Sequence, residues 1–528
     1  MKTTSDLINF LPILLLLSFS CSVKDGNKNT NLPQKPNIIV ILADDMGFSD
    51  LGCTGSEINT PNLDQLASDG VLFTNFYNTP RCAPSRASLL TGLYAHQTGV
   101  GHLVEDWKKP GYKGYLSKNT VTVAEVLKEN GYHTIMSGKW HLGDNQEHWP
   151  NERGFEDFYG IPAGGGVYFY PTKFLNREVY KNGVKTKENP NTFYSTNNFT
   201  DEAIQFIDQS KGDNKPFFLY MAQIAPHFPL QALPEDIEKY KGKYEVGYQA
   251  IREKRFAKQK ELGIFPENLK MTKGEHPEWS ELEDTKAEAH KMSVYAAQVD
   301  RLDQNIGKLI NYLKKENMYD NTAIFFLSDN GGCHQMVNRS PGVTPGGKDS
   351  FESYGHWANV SNTPFKLWKR ETMEGGIMTP FIAHFPKNIK VNNGLNNQPA
   401  HIIDVMATCL DLAGVSYPTS YQENEIYPTE GQSILPLAQG QKTNQERMLF
   451  WEHEGNKAVR QGDWKMVKRK KSDWMLFNMK TDPLEEQNVI DQYPEKSKAY
   501  TVAYQQWMTD HFVEEWPVKK KKKKKKLN

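Results

Sequence analysis

The chain has 528 residues, with 63 basic and 63 acidic side chains and 12% aromatic residues. That length exceeds one ordinary core and predicts a large domain with a smaller one, in a chain of soluble globular composition. Eight of the basic residues form the run Lys519–Lys526; the rest is net acidic, and an isolated terminal run without interleaved aromatics is a solvated tail, which argues against nucleic acid as a partner.

Lys2 precedes an apolar run, Leu11–Leu17, and then Ser18-Phe19-Ser20-Cys21. The run is too short to span a bilayer and reads as an export signal. A Cys directly after small residues resembles a bacterial lipoprotein signal, so residues 1–21 are expected to be a lipoprotein-type signal with lipidation at Cys21. Residues 22–35 follow as a flexible tether. Asn37–Ala43 is a continuous apolar, β-branched run, the mark of a strand buried on both faces, and it ends at Asp44-Asp45. Ligands in open α/β folds bind beyond such strand ends, and two adjacent carboxylates there repel unless a cation lies between them. A short helix opens at Thr60-Pro61.

Thr79–Gly92 is a loop running into a helix, with Pro80 and Pro84 expected to hold off the helix until Ser85. Cys82 then sits at a helix N-terminus beside Arg81 and Arg86, where a thiol pKa falls. Thr122 and Glu125 form a capping box. A strand from His133 leads to Lys139 and His141, two residues apart and so on one side of an extended chain. The segment 151–200, rich in Gly, Pro, Asn and Tyr, reads as long loops, and its Tyr168-Phe169-Tyr170 could stack on sugars. Pro216–Ala222 is a second buried strand and runs into His227, held by Pro226 and Pro229. The stretch 234–262 reads as helical and 291–315 as a long amphipathic helix. Asn321–Leu327 is a third buried strand, ending at Asp329-Asn330-Gly331-Gly332. Short alternating strands from residue 447, then a closing helix, form a small antiparallel sheet unit. The five cysteines Cys21, Cys53, Cys82, Cys333 and Cys409 show no C-x-x-C spacing, so neither a zinc ribbon nor a disulfide scaffold is indicated.

Asp44, Asp45, Asp329 and Asn330 are thus an all-oxygen set suited to Ca²⁺ or Mg²⁺. Arg86, Lys139, a lysine of the 366–369 segment, His141 and His227 suit a tetrahedral oxyanion. The chain resembles the type I sulfatases of the alkaline-phosphatase-like superfamily, bacterial arylsulfatase branch. The element C-x-P-S-R-x-x-x-L-x-T-G is complete in Cys82, Pro84, Ser85, Arg86, Leu90, Thr91 and Gly92, and GKWHLG, APHFP, SDNGG and KRETMEGG follow in family order. The resemblance implies an α/β fold: a large mixed, mostly parallel sheet sandwiched by helices over residues 36–440, a C-terminal α+β subdomain with a small antiparallel sheet over 441–517, and a lysine-rich tail over 518–528.

It further implies that a separate formylglycine-generating maturation enzyme oxidises Cys82 to formylglycine. The aldehyde hydrate would attack sulfur while Asp44, Asp45, Asp329, Asn330 and the oxygen at position 82 hold Ca²⁺. Arg86 and Lys139 would orient the hydrate, His227 and Lys369 would bind sulfate, His227 would protonate the leaving alcohol, and His141 would take a proton so that sulfate departs. Lys366 is the alternative to Lys369, and Arg81 is given no role. The expected activity is exo-acting hydrolysis of a carbohydrate sulfate ester, with aryl sulfates as surrogates, by an exported protein of the bacterial envelope whose only membrane contact is the lipid anchor. His453, Glu454 and Trp279 are specificity candidates. The rival readings are a phosphodiesterase or phosphonate hydrolase of the same superfamily and a catalytically dead glycan-binding lipoprotein.

Overall fold

The central strands form where apolar runs leave no polar face, as in Asn37–Ala43, Phe217–Ala222 and Thr322–Ser328. The computed structural model describes residues 35–166, 168–170, 173–442 and 447–518. The signal with Cys21, the tether up to residue 34 and the lysine run lie outside the described residues. In chain order the main strands are β1 (Asn37–Ala43), β2 (Val71–Phe73), β3 (His133–Lys139), β4 (Asp157–Ile161), β5 (Tyr180–Lys181), β6 (Val184–Lys185), β7 (Phe217–Ala222), β8 (Thr322–Ser328), β9 (Phe381–His384) and β10 (Gly394–Asn396). They make one ten-stranded sheet in the order β10-β2-β9-β8-β1-β7-β3-β4-β5-β6. Neighbours from β8 to β4 are all parallel, with Ile41 of β1 opposite Met221 of β7 and Phe326 of β8.

The longer helices are α1 (Pro61–Asp69), α2 (Cys82–Thr91), α3 (Val123–Glu129), α4 (Ser195–Ser210), α5 (Tyr248–Glu261), α6 (Thr285–Lys315), α7 (Asp404–Ala413) and α8 (Pro494–Asp510). The period-2 alternation of β1 feeds two cores. Ile39 and Ile41 pack with α1, α4 and α6 on one face, and Ile38, Val40 and Leu42 with α2, α3 and α7 on the other. At α3 the Thr122 hydroxyl accepts from the Glu125 amide at 3.1 Å while the Glu125 carboxylate accepts from the Thr122 amide at 2.7 Å, the reciprocal cap its sequence predicts.

Four consecutive antiparallel strands, β11 (Met448–His453), β12 (Asn456–Gln461), β13 (Trp464–Lys468) and β14 (Trp474–Asn478), form a separate small sheet. α8 covers one of its faces; the other packs on Tyr77, Met373 and Ile377 of the large body.

Three expectations are corrected. Helix α2 starts at Cys82, not at Ser85: Pro84 falls in the first turn, where a missing N–H leaves no bond unmade. The segment 151–200 is not all loop: it contains β4, β5, β6 and the start of α4, and it buries Phe155, Phe158, Phe193 and Phe199. β4 is fixed by pairing with β3, and β5 and β6 by pairing onto β4 and β5 in turn, which local composition does not encode. The stretch 234–262 breaks into a short helix, Pro234–Glu238, and α5, because Gly242 and Gly247 between them take left-handed φ values of 77° and 85°.

Candidate active site

Parallel packing brings the carboxyl ends of β1, β3, β7 and β8 to one sheet edge, and the sequence after each strand carries the polar groups. β1 delivers Asp44 and Asp45, and β8 delivers Asp329 and Asn330. The Asp44 amide donates to Ala225 O and the Asp329 amide to Ala43 O, both at 3.1 Å, which locks the three loops together. Asp45 sits at φ 66°, a turn that aims its amide at Asp329 Oδ1, 3.2 Å away. Asp44 Oδ1, Asp45 Oδ2 and Asn330 Oδ1 are buried with no hydrogen-bond partner among the described residues.

Orphaned oxygens of this kind are costly unless a cation receives them. Burial raises the Asp329 carboxyl well above its usual range, and repulsion from Asp44 adds to the rise. Burial also acts to raise Asp44 and Asp45, but Lys139, His227 and Arg86 beside Asp44, and Lys369 and His227 beside Asp45, hold both below the usual carboxylate value. The donor set is chiefly oxygen; the His227 imidazole nitrogen also lies close enough to Asp44 and Asp45 to complete a three-residue metal group. Such a site fits a hard divalent cation.

Three cationic side chains close on this edge. Arg86, 0% exposed, donates from Nη1 to Lys139 O and from Nη2 to Asp329 Oδ2, both at 2.9 Å, and its Nη2 lies 3.4 Å from Asp44. Lys139, the last residue of β3, pairs with Asp44, and Lys369 pairs with Asp45. The Lys369 amide donates to Gly332 O at 3.1 Å, so the lysine is carried by the loop after β8; Lys366 turns away to Glu485 O and Glu486.

Cys82 is buried at the first turn of α2. Burial acts to raise its thiol pKa, yet Lys369 and Lys139 bring it below the ordinary thiol value. The rest of its signature is structural. The Ser85 hydroxyl donates to Asp329 O, Leu90 packs in the core, the Thr91 hydroxyl donates to Ala87 O at 2.7 Å, and Gly92 ends the helix at φ 68°.

His227 Nδ1 donates to Phe228 O, which leaves Nε2 pointing at Asp45 Oδ2 from 3.5 Å. The Tyr168 hydroxyl, itself buried, donates to His227 O at 2.7 Å. His141 reaches the site differently from expectation. It does not follow Lys139 in an extended chain but turns at φ 61°, and its buried Nδ1 has no hydrogen-bond partner among the described residues. A Cβ on Gly164 would lie 2.2 Å from His141 Nε2, so any larger residue there would displace the His141 ring. Burial, then the positive charge of Lys139, lowers the His141 pKa; burial also lowers that of His227.

Cys82, Lys139, His141, His227 and Lys369 line one cleft of about 620 Å³. Arg81, to which the sequence reading gave no role, lines it too, as do Arg177 and Arg339. His453 and Glu454 stand behind that rim: Glu454 accepts from His102 at 3.1 Å and pairs with Arg370, and His453 stacks on His102 with ring centroids 5.2 Å apart. Trp279 is not among the cleft residues; it packs on Tyr248 and Trp357, with centroids 5.0 and 5.8 Å away. Tyr168 is likewise a core ring and not a sugar platform.

Residues 36–415 match the family model described as Sulfatase, and residues 366–510 match that of the N-sulphoglucosamine sulphohydrolase C-terminal region. An uncharacterized sulfatase of Schizosaccharomyces pombe is 34% identical over 520 residues, covering 88% of this chain and 91% of that protein. An arylsulfatase of Klebsiella aerogenes is 34% identical, covering 78% and 94%. Among solved structures, that of Ps i-CgsB in complex with k-i-k-neocarrahexaose superposes with a TM-score of 0.68 at 29% identity, covering 93% of this chain and 96% of that one.

Proposed function

The chain belongs to the sulfatase family and is a sulfuric ester hydrolase, and from that premise we propose that it removes sulfate from a sulfated carbohydrate at the Cys82 cleft, with aryl sulfates as surrogates. The observation that carries this reading is the convergence of Cys82, two lysines and two histidines on one cleft at the sheet's carboxyl edge, the lysines paired with the aspartates that carry two of the three orphaned oxygens. A relative solved with a bound neocarrahexaose supports the carbohydrate class. The sequence of residues 1–21 supports export to the bacterial envelope with Cys21 as lipid anchor, and residues 36–440 and 441–517 are read as catalytic domain and subdomain.

Asp44, Asp45, Asp329 and Asn330 would hold Ca²⁺, which supplies positive charge next to the oxygens of the ester. Formylglycine, made from Cys82 by a separate maturation enzyme, would supply a hydrated aldehyde as the oxygen nucleophile. Arg86 orients that group; its guanidinium is already fixed by Asp329 and Lys139 O. Lys139 stabilises the charge of the nucleophile, and Lys369 and His227 bind sulfate oxygens where negative charge builds. An anionic ester beside His227 favours its protonated form, the state needed to donate a proton to the leaving alcohol. His141, kept neutral by burial, accepts the proton whose loss expels sulfate.

Mass spectrometry of the Cys82 peptide, after co-production with a maturation enzyme, is expected to show an aldehyde in place of the thiol. Cys82→Ala is expected to lower sulfate release from 4-nitrophenyl sulfate by ~10³-fold or more. Release at the wild-type rate by that variant would sink the proposal.

A further inference from the structure

Three arginines remain at the cleft after the reaction is provided for. Arg81 precedes Cys82 in the chain, and its buried Nε has no hydrogen-bond partner among the described residues. Among the described residues Arg177 donates only to backbone, from Nε to Gly164 O and from Nη1 to Asn176 O at 3.2 Å. Gly164 abuts His141, so Arg177 stands on the His141 side. Arg339 lies over the Phe351 ring at 4.9 Å, and that ring meets Phe228, next to His227, with centroids 6.1 Å apart. Among the described residues none of the three pairs with a carboxylate. By contrast the buried Arg86 and Arg255 and the half-buried Arg447 each hold a carboxylate, at 2.9, 2.8 and 2.6 Å, whereas the buried Arg252 donates to Thr272. The acidic groups on the same lining are Asp144, which is exposed, and Glu178, which Lys185 at 3.0 Å and the Tyr170 hydroxyl at 2.8 Å already engage.

A single sulfate ester carries one negative charge, and Lys369, Lys139 and His227 already attend it. Three further guanidinium groups, those of Arg81 and Arg177 half-buried and that of Arg339 exposed, none paired with a carboxylate among the described residues, are more than that ester needs. The planar fork of arginine matches the paired oxygens of sulfate or carboxylate. We propose that Arg81, Arg177 and Arg339 form an anion-reading rim, and that the substrate is a saccharide carrying a second negative group, sulfate or carboxylate, besides the ester that is hydrolysed. This rests on the sulfatase reading of the same cleft. The rim holds the second group on the side of Arg81 or across the His141 and His227 side, and so selects which ester of a multiply charged glycan enters. No bond is made or broken there.

The test is competition against 4-nitrophenyl sulfate turnover by matured enzyme. The competitors are three disaccharides: one monosulfated, one disulfated, and one with a sulfate and a uronate carboxylate. In wild type, at least one doubly charged disaccharide is expected to bind about 10-fold more tightly than the monosulfated one, the worth of one charge-assisted pair. Arg81→Gln, Arg177→Gln and Arg339→Gln are each expected to shrink that ratio several-fold, with Arg→Lys at the same position keeping part of it. The stronger doubly charged competitor identifies the second group as sulfate or carboxylate. Unfolding midpoints establish that the variants are folded; where a Gln variant is not, the Lys variant and the wild-type ratio decide. Equal inhibition by all three disaccharides in wild type, or a ratio unmoved in every folded variant, overturns the rim. If matured wild type does not turn over 4-nitrophenyl sulfate, the sulfatase reading is what fails, and calorimetric binding of the same disaccharides then tests the rim alone.

Discussion

Three aspartates within one buried pocket set the behaviour of the reactive centre at the residue scale. Asp44 and Asp45 are held ionised by the lysines and arginine around them, while burial and the repulsion of Asp44 push Asp329 toward its protonated form. Arg86, Lys139 and Lys369 neutralise the cluster from outside, and the oxygens that face one another inside stay unpartnered. A divalent cation resolves both the repulsion and the missing bonds, so its binding is linked to folding. Chelation with EGTA is therefore expected to lower the unfolding midpoint, and added Ca²⁺ to restore it. At a thousandfold excess over Kd the recovered stability is about 4 kcal/mol. Calorimetric midpoints that respond to neither reagent would contradict the oxygen site.

At the scale of elements, two glycine loops cross to hold the site's halves together. The Gly331 amide donates to Gly376 O at 3.2 Å, and a Cβ on Gly331 would lie 1.9 Å from Gly375 O. The loop of Asp329 and Asn330 is thereby pressed against the segment that carries Lys369. Gly331→Ala forces that crossing apart. It is expected to cost about 1–3 kcal/mol in denaturant melts and to lower sulfate release, whereas Gly212→Ala, with nothing within 4 Å of the added carbon, stays within about 0.5 kcal/mol. Equal effects at the two positions would refute the crossing as the cause. These loops were legible because they follow β1, β7 and β8, whose unbroken apolar runs announce burial on both faces. β4 to β6 were not, since Gly, Asn and Tyr carry no strand period and these short strands form only by adding one after another to the edge of β3. Lys369 over Lys366 could be chosen by motif, and the amide bond to Gly332 gives the choice a physical basis. The sequence gives Arg81 no role because the signature assigns the oxidised residue at position 82 to Arg86 and leaves Arg81 outside it. Arg177 and Arg339 lie outside it as well, and only the fold brings them to one rim.

At the scale of the whole molecule, the small sheet is tied to the large body by a buried charge network close behind the Lys369 segment. Lys465 of β13 lies 2.6 Å from Glu374 and 2.8 Å from Glu485. The Tyr77 hydroxyl donates to Glu374 at 2.8 Å, and the Glu374 amide donates to Glu485 at 2.8 Å. Two carboxylates share one ammonium there. Burial first, and then repulsion from Glu374, raises the Glu485 carboxyl to about 7 despite the attraction of Lys465. The unfolded chain binds a proton at Glu485 only below its ordinary value, so between that value and pH 7 the folded state holds the extra proton. Stability from this group is full below the ordinary glutamate pKa and is lost as pH rises through about 7. The expected loss is about 3 kcal/mol across that window, read as a falling denaturation free energy between pH 5 and about 8. Glu485→Gln removes the titration while keeping a carbonyl for Lys465, so its stability curve is expected to be flatter over the same range whatever its absolute value. A variant curve as steep as that of wild type would assign the slope to another group. Because Glu374 lies on the same short segment as Lys369, loosening this network at high pH is also expected to reduce sulfate release before global unfolding sets in, and in Glu485→Gln that early decline should disappear.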